Sequence, residues 1–241
     1  MIQNYFKIAL RNLSRNKLYA ALNIAGLTFG LTGFLLLGLY LFDELTFDQM
    51  HTRADRIYRI VEHKKTKSED ISVAGSSFKL AEEAKKQIAE IEHTARFARF
   101  GRSNLLNPDQ PDYKVHEVLT IADNGLMEIF DFQAIEGDVR TALKEPNSVV
   151  VTEELAQRYF KTNHVLGKTL IMDLREMTPL RITAVLKNHP RNSSFDFPMV
   201  VSEATFMADS NFRDDVLRDW SSNDFLTFAL LNKNADPLLV A

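Results

Sequence analysis

The sequence predicts an α+β protein, in which a single N-terminal transmembrane helix is followed by a mixed α/β extracytoplasmic domain. Residues 18–42 contain no charged side chain, whereas the rest of the chain has the composition of a water-soluble domain. Strand-like and helix-like runs then follow one another without strict alternation, which is typical of α+β domains with a mixed sheet. The predicted regions are a cytoplasmic basic amphipathic helix (1–17), a transmembrane helix (18–42) and the extracytoplasmic domain (43–241).

Composition and charge exclude several classes of function. The 241 residues are 45% hydrophobic and 25% charged, which is ordinary for a globular protein. Residues 1–17 carry a charge of +4, and because the whole chain has a net charge of −3, the remainder carries −7. A mildly acidic domain argues against nucleic-acid partners, which need a basic face. With no cysteine, disulfides, thiolate catalysis and zinc–thiolate sites are excluded.

Residues 3–15 have the periodicity of an amphipathic helix, with apolar and basic side chains on separate faces. A basic amphipathic helix beside a membrane span lies on the inner-leaflet surface. We expect this helix to set the membrane topology, and a further possibility is that it docks a cytoplasmic partner. The residues predicted to contact the membrane surface are Lys7, Arg11, Arg15 and Lys17.

The apolar stretch 18–42 predicts one tilted span. As a helix it would be about 37 Å long, which exceeds a hydrocarbon core of about 30 Å. Basic residues precede it and Asp43, Glu44 and Asp48 follow it, so the positive-inside rule places the N-terminus in the cytoplasm. The alternative is a cleaved signal peptide, but this run is longer than a signal-peptide core and no small residues follow it. Gly26 and Gly30 form a GxxxG spacing, which predicts packing against another helix.

Residues 43–56, DELTFDQMHTRADR, leave the membrane. Their carboxylates and His51 raise the possibility of a divalent-metal site. No second histidine lies at helical spacing, so a solvated cap beside the membrane is the favoured interpretation.

The domain contains a series of predicted elements, and Ser77 and Thr152 are candidate N-caps for two of its helices. The loop 189–198 is expected to shape a partner surface, and Trp220 is expected to pack as an anchor. The remaining predictions are strands at 56–64, 93–100, 114–121, 146–152, 168–173, 180–188 and 225–231, helices at 76–91, 125–130 and 153–160, and a turn at 107–111.

No catalytic motif is present. The nearest candidate is TNHVLGKT (162–169), but a phosphate-binding loop needs a glycine at position 162 and must lie between a strand and a helix. There is no GxSxG or HExxH, and the six histidines are scattered singly. The sequence therefore predicts neither an enzyme nor a bound cofactor.

Several blocks resemble the permease subunits of MacB/FtsX-type ABC transporters. RNLSRNKLYAALNIAGLTFGL is similar to the opening of these permeases, and DELTFDQMHTRADRIYRI to the segment after their first span. EIFDFQAIEGD, TALKEPNSVVVTEELAQRYF, LGKTL and ITAVLKNHPRNSSFDF resemble successive blocks of the MacB-like periplasmic core domain. The resemblance covers nearly the whole chain and preserves the order of the blocks.

The resemblance implies a non-catalytic permease subunit in the bacterial inner membrane. Its partners would be a cytoplasmic ABC ATPase, the lipid bilayer and a second permease, as a homo- or heterodimer. ATP hydrolysis would move the extracytoplasmic domain through the span for export or mechanotransmission, with residues 43–56 transmitting the motion.

Two features depart from the family pattern. Around 161–165 family members commonly have a glycine, acidic residues and a proline, where this chain has KTNHV. Family permeases also have further spans after the domain, so the resemblance predicts a fragment, a truncated gene product or a diverged protein. The alternative function is a single-pass anchored binding or sensor domain without transport activity.

Overall fold

The computed structural model describes residues 2–65, 70–107, 110–173 and 176–240. It divides into two compact units, Met1–Phe47 and Asp48–Ala241, and each is described by itself. The first unit contains helix α1 (Ile2–Arg15) and helix α2 (Lys17–Leu45).

Helix α2 is long and apolar enough to cross a membrane. It has 29 residues, and its most apolar window has a mean hydropathy of 1.9. None of its residues is buried within the unit. It extends three residues beyond the predicted span and ends where the N–H and hydroxyl of Thr46 both donate to the carbonyl of Phe42, at 3.1 and 2.8 Å.

The second unit is an α+β domain, as predicted. Its strands are β1 (Ile57–Ile60), β2 (Glu62–Lys65), β3 (Asp70–Val73), β4 (Ile91–Asn107), β5 (Gln110–Ala122), β6 (Ala134–Gly137), β7 (Ser148–Thr152), β8 (Thr169–Asp173), β9 (Met177–Leu186), β10 (Met199–Ser202) and β11 (Leu226–Leu231). Its helices are α3 (Leu80–Gln87), α4 (Gly125–Ile129), α5 (Glu153–Phe160), α6 (Glu203–Met207), α7 (Ser210–Arg218) and α8 (Pro237–Val240).

Among the described residues, nine strands form one mixed sheet. Its order is β1-β11-β4-β5-β10-β7-β9-β6, and β8 pairs with both β4 and β9. The β5–β10 and β7–β9 pairs are parallel, whereas the other pairs are antiparallel. Strands β2 and β3 form a separate antiparallel pair.

The sheet is covered on both faces, which explains why β7 is a continuous apolar run. Val150 packs into a cluster rich in aromatic side chains, whereas its neighbours Val149 and Val151 point to the opposite face. On that opposite face, Leu155 and Tyr159 of α5 complete an aliphatic core. The buried side chains of the aromatic face include Phe97, Phe130, Phe195 and Phe197.

Several local predictions are confirmed. The predicted hairpin at 168–173 and 180–188 is the antiparallel pair β8–β9. Thr152 caps α5, because its hydroxyl accepts the N–H of Leu155 at 3.3 Å. Residues 108 and 109 of the predicted 107–111 turn lie outside the described residues.

Other predictions are wrong in their extent. The predicted strand 56–64 is divided between β1 in the main sheet and β2 in the separate pair. The predicted helix 76–91 is limited to α3, and Ser77 makes no cap. Its beginning is shortened because Ser76 forms an isolated bridge with Phe225, so its backbone groups are already used.

The expectation for Trp220 is also wrong. Its side chain is 50% exposed, and the ammonium of Lys79 lies 5.2 Å from the ring centroid. The preceding helix, α7, packs instead through Phe212, Val216 and Leu217.

Candidate functional site: the junction segment

Residues 48–56, here called the junction segment, begin three positions after the last residue of α2 and lead into β1. The segment is a series of tight turns that ends in a short 3₁₀ helix, Ala54–Arg56. Asp48 has a φ of 56°, a left-handed conformation that aspartate tolerates better than most residues. The segment contacts the domain at four points.

The first contact joins Asp48 to the loop between β9 and β10. The N–H of Asp48 donates to the carbonyl of Asn192 at 2.9 Å. Its carboxylate accepts the N–H of Ser194 at 2.7 Å and also the hydroxyl of Ser194. Charge-assisted hydrogen bonds of this kind are stronger than neutral ones.

The second contact joins the segment to α4 and the residues after it. The N–H and hydroxyl of Thr52 both donate to Oδ2 of Asp131, at 2.6 and 2.8 Å. The guanidinium of Arg53 donates to the carbonyls of Glu128 and Ile129. These carbonyls lie at the C-terminal end of α4, where a cation is favourable.

The third contact is the buried side chain of His51, which is only 4% exposed. Its ring lies edge-on to three phenylalanines, with centroid distances of 5.0 Å to Phe130, 5.9 Å to Phe132 and 6.2 Å to Phe195. These three residues are called the aromatic cluster below. The N–H of Asp131 donates to Nδ1 of His51 at 3.1 Å.

The electrostatics of this contact favour a neutral imidazole. Burial lowers the pKa of His51 below its ordinary value of 6.5, although the carboxylates of Asp48 and Asp131 act in the opposite direction. Burial also lowers the pKa of His189, whose ring lies 5.7 Å from Phe132. Two neutral histidines therefore flank the aromatic cluster.

The fourth contact fixes the end of the segment to the main sheet. Nη1 of Arg56 donates to the carbonyl of Leu231 at 2.9 Å and to Glu92 at 3.1 Å. Strand β1 follows directly and pairs with β11 in register Ile57–Leu230. The segment is thus continuous with the edge of the nine-stranded sheet.

A buried ionic cluster lies elsewhere in the domain. The guanidinium of Arg96 forms a two-pronged pair with Glu203, at 2.9 and 2.7 Å, and lies 3.6 Å from Asp123. It also donates to the carbonyl of Phe78 at 3.0 Å. Burial, together with the Glu203 carboxylate, raises the pKa of Asp123 to about 7. The cluster holds two carboxyl groups around one cation, which favours retention of a proton.

A surface cleft of about 540 Å³ lies between the β8–β9 hairpin and helices α6 and α7. Its apolar lining includes Phe100, Phe206 and Phe212. Polar groups at its edge serve the fold, because the carboxylate of Asp209 accepts N–H groups of α7. We therefore assign the cleft no ligand.

The residues predicted to contact the membrane surface or to pack against another helix all lie in the first unit. Gly26 and Gly30 are in α2, where an added Cβ would meet nothing within 4 Å in the described part of the chain. Packing of these glycines against another helix therefore stays a prediction. The basic residues, which are all exposed, are Lys7, Arg11 and Arg15 in α1 and Lys17 in α2.

The expectation of a solvated cap at 43–56 is wrong for His51, which is buried. Thr52 is exposed as expected, but it and Asp48 are hydrogen-bonded to the domain. The loop 189–198, expected to shape a partner surface, also turns Phe195 and Phe197 into the core. In the described residues no group of three histidine or acidic side chains could hold a metal ion. The sequence contains one signal for the buried side chains of this loop, the FDF pattern at 195–197, in which two phenylalanines alternate with an acidic residue.

Together these features define an α+β domain that follows an apolar helix in the chain and whose first residues, the junction segment, are bound to the domain core. The chain belongs to the family of MacB-like periplasmic core domains, because the model of that family matches residues 20–240. The family is a component of ABC transporter permeases. No curated protein matches the sequence.

Solved structures share the fold at low sequence identity. A domain assigned to a permease protein from Porphyromonas gingivalis has a TM-score of 0.66 and 21% identity, covering 79% of this chain and 78% of that one. The periplasmic region of MacB from Actinobacillus actinomycetemcomitans has a TM-score of 0.53 and 11% identity, covering 76% and 78%. The extracellular domain of the noncanonic ABC-type transporter YknZ from Gram-positive bacteria has 0.51 and 13%, covering 76% and 87%.

Proposed function

We propose that this chain forms part of a permease subunit of a MacB/FtsX-type ABC transporter. In this proposal α2 crosses the bacterial inner membrane, the N-terminus is cytoplasmic and the domain is extracytoplasmic. A cytoplasmic ATPase supplies the energy, and a second permease completes a homo- or heterodimer. Family membership supports the class of transporter, and the apolar helix before the domain supports the attachment to a membrane.

The observation that carries the coupling role is the fixation of the junction segment at four points. A flexible tether would need no buried side chain and no specific hydrogen bonds. Here Asp48 is bound to the loop between β9 and β10, Thr52 and Arg53 are bound to the end of α4 and the residue Asp131 after it, and the side chain of His51 is buried. A displacement of the chain at Asp48 would therefore move the whole domain instead of stretching a linker.

The topology can be tested directly because the natural chain contains no cysteine. We would introduce Asn4→Cys in α1 or Lys144→Cys on the domain surface of the full chain, in its membrane. A membrane-impermeant maleimide should label Lys144→Cys from the outer side and label Asn4→Cys only after the inner membrane is opened. The reverse labelling pattern would contradict the proposed orientation.

The coupling role can be tested with the assembled transporter. A flexible Gly-Ser-Gly-Ser linker inserted after Phe47 would lie before the junction segment and leave the contacts of that segment with the domain intact. We expect the ATPase complex to assemble but to lose ATP-driven movement of the domain. An anchored binding or sensor domain, the alternative function, would work equally well with the linker and would need no ATPase.

A further inference from the structure

His51 and His189 differ from the other histidines in the described part of the chain. Each has a buried Nε2 atom without a hydrogen-bond partner. The remaining histidines lie nearer the surface and each has a polar partner: His63 with Ser72, His93 with Glu128, His116 with Asn104 and His164 with Glu136. A buried imidazole without a charged partner is poorly suited to carry a proton.

We propose that His51 is a proton-sensitive latch of the junction segment: the neutral ring holds the segment on the domain, and protonation of the ring releases it. The proposal rests on the proposed function, since it describes how the same coupling site is regulated. Acidification outside the membrane would then disconnect the domain from the moving helix.

The hydrogen bond at Nδ1 gives the latch its chemical basis. Nδ1 of His51 accepts the N–H of Asp131, so in the docked state Nδ1 carries a lone pair and Nε2 carries the proton. An added proton must bind the lone pair on Nδ1. Two N–H groups would then face each other and the bond would be lost. Asp131 also holds Thr52, so the disturbance reaches the second contact directly.

The surroundings of the ring also disfavour the imidazolium. The three rings of the aromatic cluster provide no carboxylate. Of the charged groups around His51, Asp48 on the same segment and Asp131 after α4 favour the imidazolium, but each is bound to a neighbour, Ser194 or Thr52, and their effect on the pKa of His51 is smaller than that of burial.

In the β9–β10 loop, His189 also contacts Phe132, and the charged or titratable groups that act on it are His51, Asp196 and Arg99. Protonation of both histidines would place two cations beside Phe132, which both rings contact.

The direction of the pH dependence follows from the lowered pKa of His51. A released ring titrates near the ordinary value of 6.5, whereas the docked ring resists protonation until a lower pH. Docking is therefore unaffected above pH 6.5 and weakens as the pH falls below it. For one histidine, the equilibrium constant for release can change by at most about tenfold per pH unit. His189, whose pKa is also lowered, would act in the same direction.

The test is hydrogen exchange of the full chain in lipid nanodiscs at pH 7.5 and 5.5, corrected for intrinsic exchange rates. The reporters are the amides of Asp48 and Ser194, which bond across the junction. The amides of β7 serve as an internal control. His51→Asn places an amide oxygen near the position of Nδ1 and cannot be protonated. His116→Asn is the matched control at an exposed histidine, and His51→Phe keeps a ring but removes the acceptor.

We expect the corrected exchange of the reporters to rise between pH 7.5 and 5.5, by at most about tenfold, in the wild type and in His116→Asn. His51→Asn should show protection at both pH values, and His51→Phe weaker protection without pH dependence. Equal protection of the wild type at both pH values would overturn the latch, as would an unchanged pH dependence in His51→Asn. Reporters that lack protection even at pH 7.5 would instead overturn the docked segment, and with it the proposed coupling.

Discussion

Removal of the Asp131 carboxylate tests whether the junction segment is attached as one unit. Asp131→Ala deletes both hydrogen bonds to Thr52 but leaves the backbone N–H that His51 accepts. A bond to a charged group contributes about 1.5–3 kcal/mol when buried, and the exposure of this pair reduces each bond to roughly 0.5–1.5 kcal/mol. The expected loss is about 1–3 kcal/mol, which corresponds to roughly a 5- to 150-fold larger opening equilibrium.

The assay is hydrogen exchange of the full chain at pH 7.5, read at amides that do not bond Asp131. If the contacts are cooperative, protection of the Asp48 and Ser194 amides should fall by the same factor. Asp131→Asn, which keeps an acceptor oxygen, should change the protection of these amides by about threefold or less. Asp138→Ala is the matched control, because that carboxylate accepts a backbone N–H and a threonine hydroxyl far from the junction segment in the sequence. Faster exchange confined to Thr52 would refute the attachment as a unit.

Three further predictions concern the stability of the full chain in detergent micelles, measured by urea unfolding with near-ultraviolet circular dichroism. Arg96→Met leaves two buried carboxyl groups without their cation and should lower the free energy of unfolding by about 3–5 kcal/mol; a loss below about 1 kcal/mol would contradict the ionic cluster. Asp123→Asn should stabilise the domain by about 1–3 kcal/mol at pH 8, because the raised pKa of Asp123 makes its ionised form unfavourable in the folded state. This gain should shrink as the pH falls towards 4, and a pH-independent difference would disprove the unfavourable ionisation of Asp123. Gly137 and Gly167 both have positive φ, but an added Cβ at Gly137 would lie 2.3 Å from the carbonyl oxygen of Thr183, whereas at Gly167 it would meet nothing within 4 Å of the described residues. Gly167→Ala should therefore lower the free energy of unfolding by about 1 kcal/mol, and Gly137→Ala should lower it clearly more. Equal losses would be inconsistent with the clash.

Local periodicity was sufficient to predict much of the fold. The apolar run of α2, the buried strand β7 with its capped helix α5, and the β8–β9 hairpin are each encoded within short stretches of sequence. The division of the predicted strand 56–64 was not foreseen, because it depends on which other strands are available for pairing.

The candidate site was not predicted from the sequence, because its contacts join distant parts of the chain. His51 and Asp131 are 80 positions apart, and Asp48 and Ser194 are 146 positions apart. Considered alone, the polar residues of the junction segment, which form a series of turns, are typical of a solvated segment. Only the position of the aromatic cluster in the fold shows that His51 is buried.

The coupling role is tested most directly by the movement of the domain in the assembled transporter. We would place a spin label at Lys85→Cys on α3 and measure its distance from a gadolinium-chelating lipid in nanodiscs, with and without ATP and vanadate. We expect a nucleotide-dependent shift that persists when Gly-Ser-Gly-Ser is inserted after Lys144 and disappears when the same linker is inserted after Phe47. A shift that survives the linker after Phe47, or no shift in the unmodified transporter, would contradict the coupling role.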